Sequence, residues 1–184
     1  MNILTNTADP GPSSTLNTSF ICSIIALVCL LILSGFFSMT ETAFTSFNKI
    51  RMENLSKKSR TARVVLKISE HYDRVLSTIL IGNNIVNIAA SALATVLFVN
   101  YLGDIGPTIA TIVVTIIVLI FGEVSPKSLA RERPEAIARL NVYPLYFFYY
   151  LFFPIALGLS GIQKLLKRIF RVKKKEPVYT EEEF

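Results

Sequence analysis

The stretch Phe121-Gly-Glu-Val-Ser-Pro-Lys127 closes a run from Ile109 to Ile120 that contains no charged residue. Glu123 therefore lies in, or at the edge of, bilayer hydrocarbon, where a charged side chain costs about 2.5–3.5 kcal/mol unless it is paired, hydrated or bound to a cation. Pro126 has no N–H, so we expect a broken helix here, with the carbonyl of Gly122 freed from its helical hydrogen bond. A carboxylate beside a freed carbonyl is an oxygen-rich site for a hard cation.

The whole chain is too apolar for an ordinary soluble domain. Of its 184 residues, 52% are hydrophobic, and the mean hydropathy is +0.51. A membrane-spanning helix needs about 20 apolar residues, and three stretches meet this need, near residues 20–47, 75–101 and 108–127. These runs are far longer than the strands of a membrane barrel. The sequence predicts an all-α membrane protein with three transmembrane helices.

The basic residues indicate how these spans are oriented. All 19 Lys and Arg fall in three blocks, with eight in residues 49–74, four in 127–139 and seven in 164–175. Such clustering follows the positive-inside rule. It argues against nucleic acid as the partner of a chain with net charge +6, and it favours contact with anionic lipid of the bilayer. We expect a multi-pass protein of the cell membrane, with its N-terminus outside and its C-terminus cytoplasmic.

A fourth apolar run, residues 142–163, is expected not to cross. Both flanking basic blocks are placed inside, and two crossings need about 40 residues. We therefore predict juxtamembrane helices over residues 142–171, forming a belt along the inner interface that bends at Pro154 and Gly158. Short amphipathic helices are expected within residues 49–74. Residues 1–19 are expected to form a disordered external tail, and residues 176–184 to begin a further cytoplasmic helical region.

Polar residues mark the inner halves of the first two spans. Ser34 and Ser38 are four apart and share one helix face, with Glu41 near that stripe. Close helix packing explains small residues at this spacing equally well. The second span carries Asn83, Asn84 and Asn87 within five residues. Interhelical hydrogen bonding, worth about 0.6 kcal/mol per bond, would account for one asparagine, whereas three at this depth favour a polar cavity or ion site.

These motifs resemble the transmembrane domain of the CorC/CNNM (cyclin M) magnesium transporters. The resemblance covers nearly all of residues 20–184 and is specific through the order and spacing of several segments. The segments that carry it are Ser34-Gly35-Phe36-Phe37-Ser38 with Glu41 and Ala43, Gly82-Asn83 with Asn87, Gly122 to Lys127, and Tyr179 to Glu183.

The resemblance implies a fold and an activity. Family members have three spans and a belt-like juxtamembrane helix, form homodimers through the transmembrane helices, and bind dehydrated Mg²⁺ in an inward-facing cavity. Sodium-coupled export is the activity proposed for them, which makes Na⁺ the coupling ion. Mg-ATP would bind only to CBS domains, which these residues do not contain.

The resemblance also assigns residues to the cation. Ser34 and Ser38 would supply hydroxyl oxygens, Asn83 and Asn87 amide oxygens, Gly122 its carbonyl and Glu123 its carboxylate, with Asn84 the less secure member. Three further residues would support this site. Pro126 frees the carbonyl, Lys127 pairs with Glu123 when the cation is absent, and Glu41 is a candidate for a second cation.

A different class of function stays open. The spans could form a non-transporting dimeric anchor and sensor for a cytoplasmic regulatory domain. An anchor has no need of a carboxylate and three asparagines at membrane depth, so transport is the leading hypothesis. Enzyme activity is not expected, because the only histidine, His71, lies in a basic segment and no nucleophile–base pair can be built.

Overall fold

Seven α-helices form the part of the chain that the structure, a computed structural model, describes: residues 12–155 and Gly158. This part contains no strand. The helices are α1 (Pro12–Ser46), α2 (Lys49–Ser56), α3 (Arg60–Ser69), α4 (Tyr72–Leu102), α5 (Gly106–Ile117), α6 (Ser125–Glu132) and α7 (Pro134–Leu151). The predicted all-helical class is thereby confirmed for these residues.

Helix α1 starts earlier than expected. Residues 12–19, placed in the external tail by the sequence, belong to α1, which begins at Pro12. Proline is favoured in the first turn of a helix, where its missing N–H has no helical partner to lose. The rest of the predicted tail, residues 1–11, lies outside the described part, as do residues 176–184.

Within the described residues, two segments are long and apolar enough to cross a membrane, Thr18–Ser46 and Tyr72–Glu132. The second folds back on itself, because α4 and α5 pack against each other. The turn between them is a 3₁₀ helix, Gly103–Ile105, that opens with Gly103 at φ +62°, where glycine is favoured. A side chain at Gly106 would begin 2.7 Å from the backbone of Phe98. Three separate crossings, one for α1 and one for each arm, stay a prediction.

The predicted break at Pro126 is wrong. Helix α5 continues through a π-helical segment, Val118–Val124, into α6. The N–H of Ser125 bonds to the carbonyl of Ile120, five residues earlier. A π turn absorbs irregular backbone bonding without ending a helix, and such turns occur often at functional sites. The chain therefore passes Glu123 as one continuous, locally widened helix.

Two short helices, α2 and α3, lie within the basic segment of residues 49–74, as predicted. Asn48 caps α2 by accepting a hydrogen bond from the N–H of Arg51, at 3.0 Å, and Ser59 caps α3 through the N–H of Ala62, at 3.4 Å. Helix α3 buries one apolar face, Ala62, Val65 and Ile68.

Helix α7 begins at Pro134, upstream of the belt predicted over residues 142–171. It packs on α1 and α3, and it is not among the candidate spans found in the described residues. Its helix continues through Pro144 to Leu151. Residues 156–157 and 159–171 of the predicted belt lie outside the described residues, and the bend at Pro154 and Gly158 stays a prediction.

Candidate functional site: a polar cluster between three helices

The C-terminal half of α1 buries its small polar residues inside the protein. Ser34 and Ser38 are 1% and 0% exposed, so the face predicted from their spacing is buried. Gly35 lies against the π segment, where an added Cβ would sit 3.3 Å from Cγ of Pro126 and 3.5 Å from the carbonyl oxygen of Phe121. The small residues of α1 therefore let the widened helix come close to it.

Two contacts fix the register between α1 and α4. The hydroxyl of Ser34 donates to Oδ1 of Asn87 at 2.7 Å. Nearby, the ring of Phe37 covers Gly82 so closely that a Cβ there would clash with it. Higher numbers on α1 thus meet lower numbers on α4, as in antiparallel neighbours, and this register puts Ser38 at the level of Asn83.

A second hydrogen bond extends the cluster to the π segment. Nδ2 of Asn87 donates to Oε1 of Glu123 at 3.4 Å. Ser34, Asn87 and Glu123 therefore form one chain of hydrogen bonds across three helices. These residues are far apart in the sequence, so their meeting is a property of the fold that spacing alone could not establish.

Gly122 makes this approach possible. It is buried, and a Cβ at this position would lie 2.8 Å from Oγ of Ser34. Pro126, which is also buried, has no N–H to donate to the Gly122 carbonyl. At Gly122 it is the Cα that faces the Ser34 hydroxyl of the same cluster.

Two buried oxygen atoms in the described residues have no hydrogen-bond partner, Oγ of Ser38 and Oδ1 of Asn83. A buried polar group without a partner costs about 1–3 kcal/mol, so such groups are rare and call for an explanation. Both belong to the predicted set, and both lie one helical turn from the Ser34–Asn87 pair. Both oxygens therefore have hydrogen-bonding capacity that no described residue uses.

Three predicted residues take other positions. Asn84 is exposed on the surface of the chain, away from the buried pair. Lys127 pairs with Glu41, with Nζ 3.5 Å from Oε2, rather than with Glu123 as expected. Lys127 follows Glu123 by four residues in a widened helix, and its long side chain instead crosses to α1. Glu41 therefore already has a cationic partner.

Sequence reasoning missed a polar contact behind the cluster. Nδ2 of Asn141 on α7 donates to Oγ1 of Thr40 at 2.9 Å, and Thr40 donates to the carbonyl of Phe36 at 2.6 Å. The signal was present, since Asn141 opens an apolar run. Another missed residue, Glu135, accepts from the N–H of Asn48 at 3.3 Å and ties α7 to the start of α2.

The cluster has limited charge. No group of three or more His, Cys, Asp or Glu residues comes together anywhere in the described residues. A cation bound here would meet one carboxylate, from Glu123, and otherwise neutral oxygens. Such a site is typical of hard cations, which take carboxylate, carbonyl and amide oxygens.

Comparisons with known proteins place the chain in a family. The model of the cyclin M transmembrane N-terminal domain matches residues 24–184. The UPF0053 inner membrane protein YfjD of Escherichia coli is 39% identical over 142 residues, covering 77% of this chain and 33% of that protein. A UPF0053 protein of Haemophilus influenzae is 38% identical over 162 residues, covering 88% of this chain and 38% of that protein.

A third relative carries a functional name. The polyamine export protein of Haemophilus influenzae is 28% identical over 164 residues, which covers 82% of this chain and 38% of that protein. The chain thus spans between a third and two fifths of the length of these three relatives. The resemblance found in the sequence is confirmed: the chain is a membrane protein of the cyclin M family, and residues 24–184 match the transmembrane domain of that family.

Proposed function

We propose that this chain moves Mg²⁺ across the membrane through the cluster of Ser34, Asn87 and Glu123. The observation that carries the proposal is the pair of buried oxygens without partners, on Ser38 and Asn83, beside that cluster. Desolvated oxygens are costly when empty and favourable when a cation binds them. A helix bundle held together only by packing would gain nothing from leaving them unpaired.

The proposed ligands are those oxygens together with the Gly122 carbonyl and the Glu123 carboxylate. Mg²⁺ demands near-octahedral oxygen coordination and gives up its water reluctantly. A dehydrated ion would therefore need most of these groups at once, and the Ser34–Asn87 hydrogen bond would open to release its oxygens. Asn84, which is exposed, is left out of this ligand set.

Export is the proposed direction, with Na⁺ as the coupling ion. A negative cell interior favours entry of a doubly charged ion by about 4.6 kcal/mol per 100 mV, so export needs a second gradient. The proposal includes three crossings in the plasma membrane, an external N-terminus and a homodimer. Glu41 could bind a second cation only if that cation displaced the ammonium of Lys127.

Polyamine export is a second candidate, favoured by the name of one relative. A polyamine carries several ammonium groups on an apolar chain and would be expected to meet several carboxylates. The cluster offers one, Glu123, since Glu41 is paired with Lys127. Mg²⁺ therefore fits the described residues better.

Flux through the purified chain in proteoliposomes tests these alternatives. We expect Mg²⁺ movement, followed with a trapped fluorescent indicator. This movement should accelerate when Na⁺ flows down its own gradient in the opposite direction. Movement of radiolabelled spermidine without Mg²⁺ would replace the proposal with polyamine transport. If neither solute moves while the chain is inserted and helical, the anchor and sensor function is favoured instead.

A further inference from the structure

A groove separate from the polar cluster lies between α3 and α7. Its cavity measures about 740 Å³, within the range of ordinary small-molecule sites. One wall is α3, through Val64 and Lys67, and the other is the aromatic face of α7. Both helices adjoin basic segments that the charge pattern places at the cytoplasmic membrane surface.

The polar groups of this groove are one cation and several hydroxyls. Lys67 is exposed and takes part in neither of the two ion pairs found among the described residues. Among the described residues, no carboxylate lines the groove. The rings of Tyr146 and Tyr150 lie 5.3 Å apart. The pKa of Tyr150 is raised, chiefly by its hydrogen bond with the side chain of Tyr146, and Lys67 lies near enough to oppose that rise.

The remaining surface is aromatic and open. Tyr143, Phe147 and Tyr150 are 57%, 64% and 63% exposed. Tyrosine rings favour the headgroup level of a bilayer, where one end is apolar and the other is wet. A lysine can lay its methylenes along such a surface and keep its ammonium at the phosphate level.

We propose that this groove binds an anionic phospholipid of the inner leaflet. The ammonium of Lys67 and the hydroxyls of Tyr146 and Tyr150 would bind the headgroup phosphate, and Val64 and Phe147 would hold the first part of an acyl chain. A free phosphate would leave the apolar wall unused, and a zwitterionic lipid would bring its own cation next to the phosphate that Lys67 binds. Since α7 also donates to Thr40 of α1 through Asn141, the lipid would stabilise the helix that supports the inner half of α1.

Native mass spectrometry of the detergent-purified chain tests this proposal. The chain is mixed with equal amounts of dioleoyl phosphatidylglycerol and dioleoyl phosphatidylcholine, which differ in mass. We expect retained phosphatidylglycerol, with a preference that falls about fivefold in Lys67→Ala, the factor for one cation near an anionic surface. Lys67→Arg should restore it. Lys58→Ala, which removes an exposed lysine outside the groove, should leave it unchanged.

Several results would contradict the proposed lipid site. These are equal retention of the two lipids by the unchanged chain, no retention of either, or an equal fall in Lys67→Ala and Lys58→Ala. Displacement of the lipid by millimolar inorganic phosphate would assign the groove to a soluble anion instead. Circular dichroism of each variant checks that its helices are intact. A smaller fall in Tyr150→Phe would place the hydroxyl at the headgroup.

Discussion

The same three helical segments, α1, α4 and the helix from α5 to α6, meet in two regions of opposite character. In one region they enclose an apolar cleft of about 170 Å³, lined by residues that include Leu27, Leu31, Ala90 and Val118. In the other, Ser34, Asn87 and Glu123 form a hydrogen-bonded chain. The helices are shared, so the difference lies in the side chains that they carry and in the close backbone approach at Gly122.

This difference separates stability from binding. The apolar cleft can stabilise the bundle only by packing, because the described side chains of its lining have no oxygen ligands that could replace the water around a cation. The polar region contains buried oxygens that cost stability when they are empty. Substitutions in the two regions should therefore affect different measurements.

The largest effect is expected from removing the carboxylate. Glu123→Gln keeps the shape and one carbonyl oxygen but removes the charge, so Mg²⁺ flux in proteoliposomes should fall by about 100-fold or more, equivalent to about 2.8 kcal/mol. Leu31→Ala in the apolar cleft should lower the thermal stability and leave the flux per folded molecule within a factor of about two. Equal loss of flux in both variants would erase the distinction between the regions.

A methyl group between α1 and the π segment should have the next largest effect. In Gly122→Ala the new Cβ would lie 2.8 Å from Oγ of Ser34, so we expect loss of Mg²⁺ binding and about 1–3 kcal/mol of destabilisation from overpacking. Gly35→Ala, whose Cβ would be 3.3 Å from Cγ of Pro126, is the matched control and should be milder because this contact is longer. Calorimetric titration and thermal unfolding measure the two effects. A milder result for Gly122→Ala would contradict the close approach.

When no cation is present, replacing the two serines should change the free energy of unfolding differently. Ser34→Ala breaks the hydrogen bond to Asn87 and should cost about 1 kcal/mol, whereas Ser38→Ala removes a buried hydroxyl without a partner and should cost nothing or stabilise. Both should weaken the rise in melting temperature caused by Mg²⁺. Circular dichroism melts with and without the ion provide the measurement. Destabilisation by Ser38→Ala without the ion would show that its hydroxyl has a partner.

The smallest effect is expected at the rim of the polar region. Glu41 and Lys127 are 3.5 Å apart, with side chains 26% and 34% exposed, and such ion pairs contribute about 0–1 kcal/mol. A double-mutant cycle of unfolding free energies with Glu41→Gln and Lys127→Met should give a coupling energy in this range. A coupling well above about 1 kcal/mol would mean that Lys127 belongs to the core of the site.

The sequence predicted the helical class because long uncharged runs leave a membrane helix as the only structure that satisfies its own backbone. It also predicted the polar face of α1, since a spacing of four puts Ser34 and Ser38 on one side. It could not predict that Asn87 contacts both Ser34 and Glu123, because that contact depends on the register between helices.

The local backbone at Pro126 was predicted wrongly for a physical reason. A proline removes one hydrogen bond, but the sequence does not tell whether the helix breaks or widens. Here the bond of Ser125 to Ile120 widens it. The partner of Lys127 was missed in a similar way, since its long side chain reaches Glu41 on another helix.

The central claim, that the polar cluster binds Mg²⁺, is tested most directly by isothermal titration calorimetry of the purified chain. Unchanged protein should show saturable binding that Glu123→Ala abolishes. Glu132→Ala, which removes an exposed carboxylate on α6, should preserve it. Saturable binding of the same affinity in Glu123→Ala would contradict the account, since the cation would then bind elsewhere.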